Sequence, residues 1–254
     1  MKKTVLTVLL LAVVFAALIV SCTRVEASAG GAERTRSEQL VESGIAHEEL
    51  GNYDAAIRDF NEAIRIWPEN ATAFANRGET NRLMGRLDAA LSDFNEAIRL
   101  NPNSAFAFSG RGMVWAMLDQ LDAALRDYNE AIRLDPNNAD AFGSRGDVHS
   151  WMEQWALALI DYTEAIRLNP NAFTFYRRGE VNSHLELWDA ALSDYTESIR
   201  LGDSRSDAWA FAGRGFVYWN LGQINQAIQD FERALALNPD IEWAREALEN
   251  LRGY

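Results

Sequence analysis

Apolar and polar residues follow one another along this chain in a helical rhythm that is itself copied. The ten residues Asp93–Pro102, D-F-N-E-A-I-R-L-N-P, return with small changes at Asp59–Pro68, Asp127–Pro136, Asp161–Pro170, Asp194–Asp203 and Asp230–Pro239. The prolines that end the first four copies, Pro68, Pro102, Pro136 and Pro170, lie 34 residues apart. A fixed period of this length marks one supersecondary unit, copied and stacked, that buries its apolar face only against its neighbours. Each unit predicts two helices of about a dozen residues. In the second unit these are Ala71–Met84 and Asp88–Leu100, joined by a turn at Gly85, Arg86 and Leu87.

The repeated positions carry the expected packing. Asn70, Ser104, Asn138, Asn171 and Asp207 precede the first helices and are read as N-caps; Asp54, Asp88, Asp122, Asp189 and Asn225 are read the same way before the second helices. Ala156 breaks that series. Glycine recurs at the eighth place of each unit (Gly44, Gly78, Gly112, Gly146, Gly179 and Gly215), although mid-helix glycine costs roughly 1 kcal/mol against alanine. The expected compensation is close approach to the small residue that opens the second helix, Ala56 in the first unit and Ala227 in the last. Phe60, Phe94, Tyr128, Tyr162, Tyr195 and Phe231 share one place and are expected to fill the core.

This spacing resembles the tetratricopeptide repeat: a bulky residue at place 4 (Leu40, Phe74, Phe108, Phe142, Phe175 and Phe211), Gly at 8, Ala at 20, an aromatic at 24, Ala at 27 and Pro at 32. The resemblance covers residues 37–239 in units 37–70, 71–104, 105–138, 139–171, 172–207 and 208–239. It implies an all-α fold, a right-handed superhelical solenoid of six helix-turn-helix repeats. Residues 240–254 add a C-terminal capping helix with Ile241, Ala244, Ala247, Leu248 and Leu251 on one stripe. Three departures are specific. Place 7 is Arg in five units, within reach of the Asp at place 23; unit four is one residue short; and unit five runs on through Gly202 and Asp203, which predicts a bend.

Residues 1–21 differ in kind. Lys2 and Lys3 precede an apolar run from Thr4 to Val20, the pattern of an export signal. Ile19, Val20, Ser21 and Cys22 resemble a lipobox, with Cys22, the only cysteine, as the lipidated residue. Two other fates compete: cleavage at Ala27, Ser28 and Ala29 to give a secreted or periplasmic soluble form, and retention as a membrane anchor. Residues 22–36 read as a flexible tether. The expected location is the bacterial cell envelope, on the extracytoplasmic side of a membrane.

The formal charge is −13, and Lys2 and Lys3 are the only lysines. Without them the remainder stands at −15, a surface that repels phosphate backbones and argues against nucleic acid. Contact with a membrane is therefore expected through the lipid anchor alone.

Family geometry implies that places 2, 5, 6, 9, 12 and 13 line a concave groove. In the first two units these supply a polar and mostly acidic set that includes Glu42, Glu48, Asn76, Glu79 and Arg82; later units supply Phe106, Met113, Met117, Trp151, Tyr176, Arg177, Trp209, Phe216 and Trp219. Aromatic residues and Met beside small residues suit an adaptable apolar binding surface. The carboxylate clamp of chaperone-binding relatives is absent, because Val41 and Ile45 stand where its first pair would be. Trp67, Trp155 and Trp188 are read as structural. His47, His149 and His184 fall in separate units, no cluster has metal-ligand spacing, and neither a cofactor nor catalysis is expected. The leading expectation is a scaffold that holds a protein or peptide partner. The alternative is a ligand-handling accessory that binds a hydrophobic small molecule, paired with a periplasmic solute-binding protein; a regulator of peptidoglycan hydrolases is third.

Overall fold

The computed structural model describes residues 31–202 and 207–253. Cys22, the export signal and the predicted bend at 203–206 lie outside the described residues. Among those described, every regular element is a helix: α1 (31–49), α2 (Tyr53–Ile66), α3 (Ala71–Leu83), α4 (Leu87–Leu100), α5 (Ala105–Met117), α6 (Leu121–Leu134), α7 (Ala139–Trp151), α8 (Trp155–Leu168), α9 (Ala172–His184), α10 (Trp188–Leu201), α11 (Asp207–Asn220), α12 (Ile224–Leu237) and α13 (Glu242–Arg252). They form six antiparallel pairs and a final single helix, an all-α helical repeat fold. The chain divides into two compact units between Gly110 and Arg111. Residues 31–36, expected to belong to the tether, are helical and open α1.

Helix starts follow two different rules. Asn70, Ser104, Asn138 and Asn171 cap first helices, each side chain accepting a hydrogen bond from the amide three residues on. The second helices begin one residue earlier than expected, at Leu87, Leu121, Trp155 and their equivalents, so Asp88 and Asp122 sit inside the first turn and cap nothing. There they complement the positive end of the helix dipole.

Between the paired helices the chain passes through a left-handed residue. Gly51, Gly85 and Gly222 occupy it in three units with φ near +72°, and Asp119, Glu153 and Glu186 occupy it in the other three with φ of 59°, 58° and 56°. A side chain in that region costs roughly 1–2 kcal/mol. Asp119→Gly and Glu153→Gly are therefore each expected to stabilise the protein by about 1 kcal/mol, read as a higher urea midpoint at unchanged slope. A lower midpoint would sink the strain argument.

In each pair the aromatic at place 24 is the largest buried side chain: Phe60, Phe94 and Phe231 are fully enclosed, and Tyr128, Tyr162 and Tyr195 nearly so. The repeated glycine exists for this ring. A Cβ at Gly78 would lie 3.2 Å from Phe94, and one at Gly179 would lie 2.9 Å from Tyr195, so the ring packs directly against bare backbone. The expected partner, the small residue at place 20, is buried but is not what the glycine accommodates, apart from the Ala227 carbonyl 3.3 Å from Gly215.

The arginine at place 7 is a joint. Arg77, Arg145, Arg178 and Arg214 each give two hydrogen bonds to the buried aspartate of their own second helix, Asp93, Asp161, Asp194 and Asp230, over 2.6–3.0 Å. Each also reaches back to the preceding second helix, Arg77 to Asn61 and Arg145 to Asn129 at 2.6 Å, Arg178 to Thr163 and Arg214 to Thr196 at 3.3 and 3.2 Å. The guanidinium lies over the aromatic at place 4 of its own helix, 5.3–5.5 Å from the rings of Phe74, Phe142, Phe175 and Phe211. Arg111 makes the same bidentate pair with Asp127, and in the first unit Ser43 replaces the arginine and bonds Asp59 at 2.7 Å.

Candidate functional site

Within residues 31–110 the predicted groove positions are largely satisfied by one another. Glu79 and Arg82 form a bidentate pair along α3, at 2.9 and 2.6 Å. Glu48 accepts a hydrogen bond from the Thr80 hydroxyl, and burial holds its carboxyl above the usual range even though that bond acts in the opposite direction. Asn76 is turned onto its own helix through the Thr72 carbonyl, and with Phe106 it walls a shallow cleft of about 360 Å³.

Residues 111–254 carry the larger surface, and their first helices supply most of it. One cleft of about 420 Å³ runs over α7 and α9, with Met113, Gly143, Asp147, Phe173 and Arg177 in its walls. A smaller hollow of about 130 Å³ joins Trp151 and Trp155 to Arg177, Glu180 and His184. The third and largest, about 590 Å³, opens between α9, α11 and α13, and Tyr176, Trp188, Trp209, Phe216 and Trp243 face it. Arg177 borders the first two hollows, and Glu180 and His184 border the last two, so the three form one groove.

Two glycines shape this surface. Gly213 gives way to a ring, since a Cβ there would stand 2.5 Å from Tyr195. Gly143 has no neighbour within 4 Å of that position and leaves open space in the cleft wall.

The middle of the groove is a polar belt. Arg177 donates to Asp147 at 2.9 Å and to Glu180 at 2.7 Å; Tyr162 donates to Asp147, and Tyr176 to Glu180, both at 2.6 Å. Burial, together with the facing carboxylates, pushes both tyrosine hydroxyls well above their ordinary range. Burial alone would lower Arg177, but the Asp147 and Glu180 carboxylates outweigh it and hold the guanidinium above its usual value. Every donor in the belt therefore keeps its proton through neutral pH. Hydrogen-bonded charge in so enclosed a place orients a ligand more than it attracts one.

The predicted site residues thus separate. Tyr176, Trp209 and Phe216 share the large cavity; Met113 and Arg177 share the first cleft, and Trp151 meets Arg177 in the hollow. Met117 and Trp219 are exposed, but neither belongs to these walls. Three aromatic wall residues escaped the sequence reading. Trp188, read as structural, opens α10 and borders the large cavity; its ring meets Phe216 edge-on at 6.5 Å. Trp243 lies on the capping helix at the edge of the predicted buried stripe and stands edge-on to Phe231 at 6.0 Å. The signal for it is a lone Trp at the border between the buried stripe and the charged face of an amphipathic helix. Trp155, also read as structural, stacks on His184 with centroids 4.4 Å apart and borders the hollow.

Among the described residues no group of histidine, cysteine and carboxylate side chains could hold a metal, and no helix is long and apolar enough to cross a membrane.

Family models named tetratricopeptide repeat match residues 41–105 and 208–241, and one named TPR repeat matches 116–150. No curated protein matches the chain. Among solved structures it is similar to YrrB, a TPR protein with an unusual peptide-binding site, at 26% identity and a TM-score of 0.63 over 75% of this chain and 97% of that one. It is also similar to Pseudomonas aeruginosa pilF, at 17% identity and a TM-score of 0.78 over 86% and 99%. MamA is a third, at 22% identity and a TM-score of 0.55 over 68% and 94%. With three repeat models matched, the helix pairs in register with the copied sequence and these structures alike in fold, the chain belongs to the tetratricopeptide repeat family, whose members bind protein or peptide partners.

Proposed function

We propose that residues 111–254 hold a segment of a partner protein along the groove over α7, α9 and α11, with the cavity between α9, α11 and α13 as its anchor. The observation that carries this reading is the cavity itself: about 590 Å³ with Trp209, Phe216 and Trp243 each roughly two-fifths exposed around it. Aromatic side chains left in water around a concavity are what binding hot spots are made of. The similarity to YrrB supports a peptide as the ligand class. We extend the proposal to the setting: the chain is exported and held at the bacterial envelope by a lipid on Cys22.

One capture experiment tests both parts. Envelopes from cells fed a palmitate analogue are solubilised and passed over wild-type protein, a Trp209→Ala/Phe216→Ala variant and Gly143→Phe, which fills open space in the cleft. The expected result is a partner retained by the wild type and reduced more than about tenfold by both variants, since anchor aromatics contribute about 2 kcal/mol or more each. In the same cells the protein takes the label, and Cys22→Ser does not. Equal capture by all three proteins would remove the groove, and a labelled Cys22→Ser protein would remove the lipid.

The cavity's size also falls within the ~300–1,000 Å³ typical of small-molecule sites, which favours a hydrophobic ligand as the second reading. A co-purifying lipid seen by native mass spectrometry would select it.

A further inference from the structure

The composition of the large cavity differs from that of the two hollows beside it. Its walls hold six aromatic rings, from Tyr176, Trp188, Tyr195, Trp209, Phe216 and Trp243. The other wall residues are Glu180, Ser183, His184, Glu186, Gly213 and Asn220. Among the described residues the lining thus contains no aliphatic side chain, no arginine and no lysine. The clefts nearby are built otherwise: Met113, Ala139 and Ala165 contribute to one, and Val181 to another.

An apolar guest is well served by leucine, valine and methionine, which fill space without orienting anything. Aromatic faces do something more. Their quadrupole is negative over the ring, and a cation set within about 6 Å of the centroid is attracted, most strongly by Trp. Carboxylates at the rim add to the field. Glu180 is already engaged, with one oxygen accepting from Tyr176 and the other from Arg177. Glu186 is exposed at the turn into α10 and makes no ion pair among the described residues. The site therefore presents rings, one uncommitted negative charge and the neutral acceptors of Ser183 and Asn220. The wider protein, at −13, draws cations toward it.

The fold uses the same chemistry internally. Arginines at place 7 lie over phenylalanine rings, and Arg34 stands over Trp67 at 4.3 Å. A planar guanidinium both stacks on such rings and hydrogen-bonds a carboxylate at their edge. We propose, on the strength of the groove assignment above, that the cavity between α9, α11 and α13 is a cation receptor that takes an arginine side chain of the segment held in the groove. The remaining volume accommodates the backbone on either side of that residue.

The test follows the indole N–H resonances of Trp188, Trp209 and Trp243 by NMR during titration with N-acetylarginine amide, its citrulline analogue, norleucine amide and choline. The arginine amide is expected to shift these indoles with saturation, whereas citrulline, the same shape without charge, is much weaker. Trp209→Ala and Glu186→Gln are each expected to weaken the arginine amide about two- to fivefold, the range of one exposed cation–π or ion-pair contact. Norleucine amide binding as well as arginine would overturn the cation assignment while leaving the groove's role standing. Choline binding more tightly than arginine would overturn the peptide side chain as the source of the cation. No shift with any probe would overturn the inference outright. The groove reading fails on a different result, undiminished partner capture by the Trp209→Ala/Phe216→Ala protein.

Discussion

Asp194→Ala is expected to destabilise the protein by about 3–5 kcal/mol, the cost of leaving a buried guanidinium without its carboxylate. Asp194 is 3% exposed and accepts three hydrogen bonds: two from Arg178, at 2.9 and 2.6 Å, and one from the Asn182 amide at 2.8 Å. Its removal strands the Arg178 charge against the Phe175 ring, where water reaches only part of it. The expected fall in melting temperature is roughly 6–20 °C for a protein of this size. A second variant, Arg178→Leu/Asp194→Leu, separates the value of the pair from the cost of breaking it. Replacing both partners with apolar residues is expected to recover part of the loss, because the pair itself contributes little once its desolvation is counted, while the buried Asn182 amide still loses its acceptor. A loss below about 1 kcal/mol for Asp194→Ala would mean that solvent, and not Asp194, satisfies Arg178.

Phe231→Ala is expected to cost about the same, 3–5 kcal/mol, by a different route. The ring is fully buried among Ala227, Ala234, Ile241, Ala244 and Leu248, and it packs on Gly215, where a Cβ would come within 3.1 Å. Of those neighbours only Ile241 and Leu248 have any length, so the void can be filled only in part. The loss falls at the junction of α12 with α13 and withdraws the edge contact that steadies Trp243. Hydrogen exchange should therefore show α13 losing protection first, together with any ligand response of the Trp243 indole. Full protection of α13 in Phe231→Ala would detach the cavity wall from the core and count against this picture.

Much of the fold can be read in the chain because it is written repeatedly. Six copies of one unit fix the place of the buried aromatic and of the glycine, five fix the Arg–Asp pair, and each copy repeats nearly the same physical demand. What the pattern conceals is which partner answers that demand. A sequence shows two small residues at places 8 and 20 and invites the idea of backbones touching, whereas the structure sets a ring against the glycine. The site is less legible because it resides in what is not repeated. Trp209 and Phe216 announce themselves as bulky residues at groove positions. Trp188 occupies a place filled elsewhere by Tyr53, Leu87, Leu121, Trp155 and Ile224, where an apolar residue at a helix start suggests only packing. Trp243 belongs to no repeat at all, so no comparison within the chain could single it out. Polar closure is harder still: the Asp147, Arg177 and Glu180 belt joins places 9, 6 and 9 of two successive units, a link that only coordinates reveal.

The arginine joints bear on how this chain can be divided. Arg145, Arg178 and Arg214 each hold a side chain of the preceding second helix as well as their own aspartate. Coupling between neighbouring repeats sets the cooperativity of such arrays, and here a share of that coupling is directional and polar. A cut at the repeat boundary before Ala139, Ala172 or Ala208 would leave a guanidinium facing water where Asn129, Thr163 or Thr196 had been. The natural seam of a fragment is therefore displaced by one helix from the period of the sequence: a well-made piece begins with a second helix, carrying the acceptor that the next arginine needs.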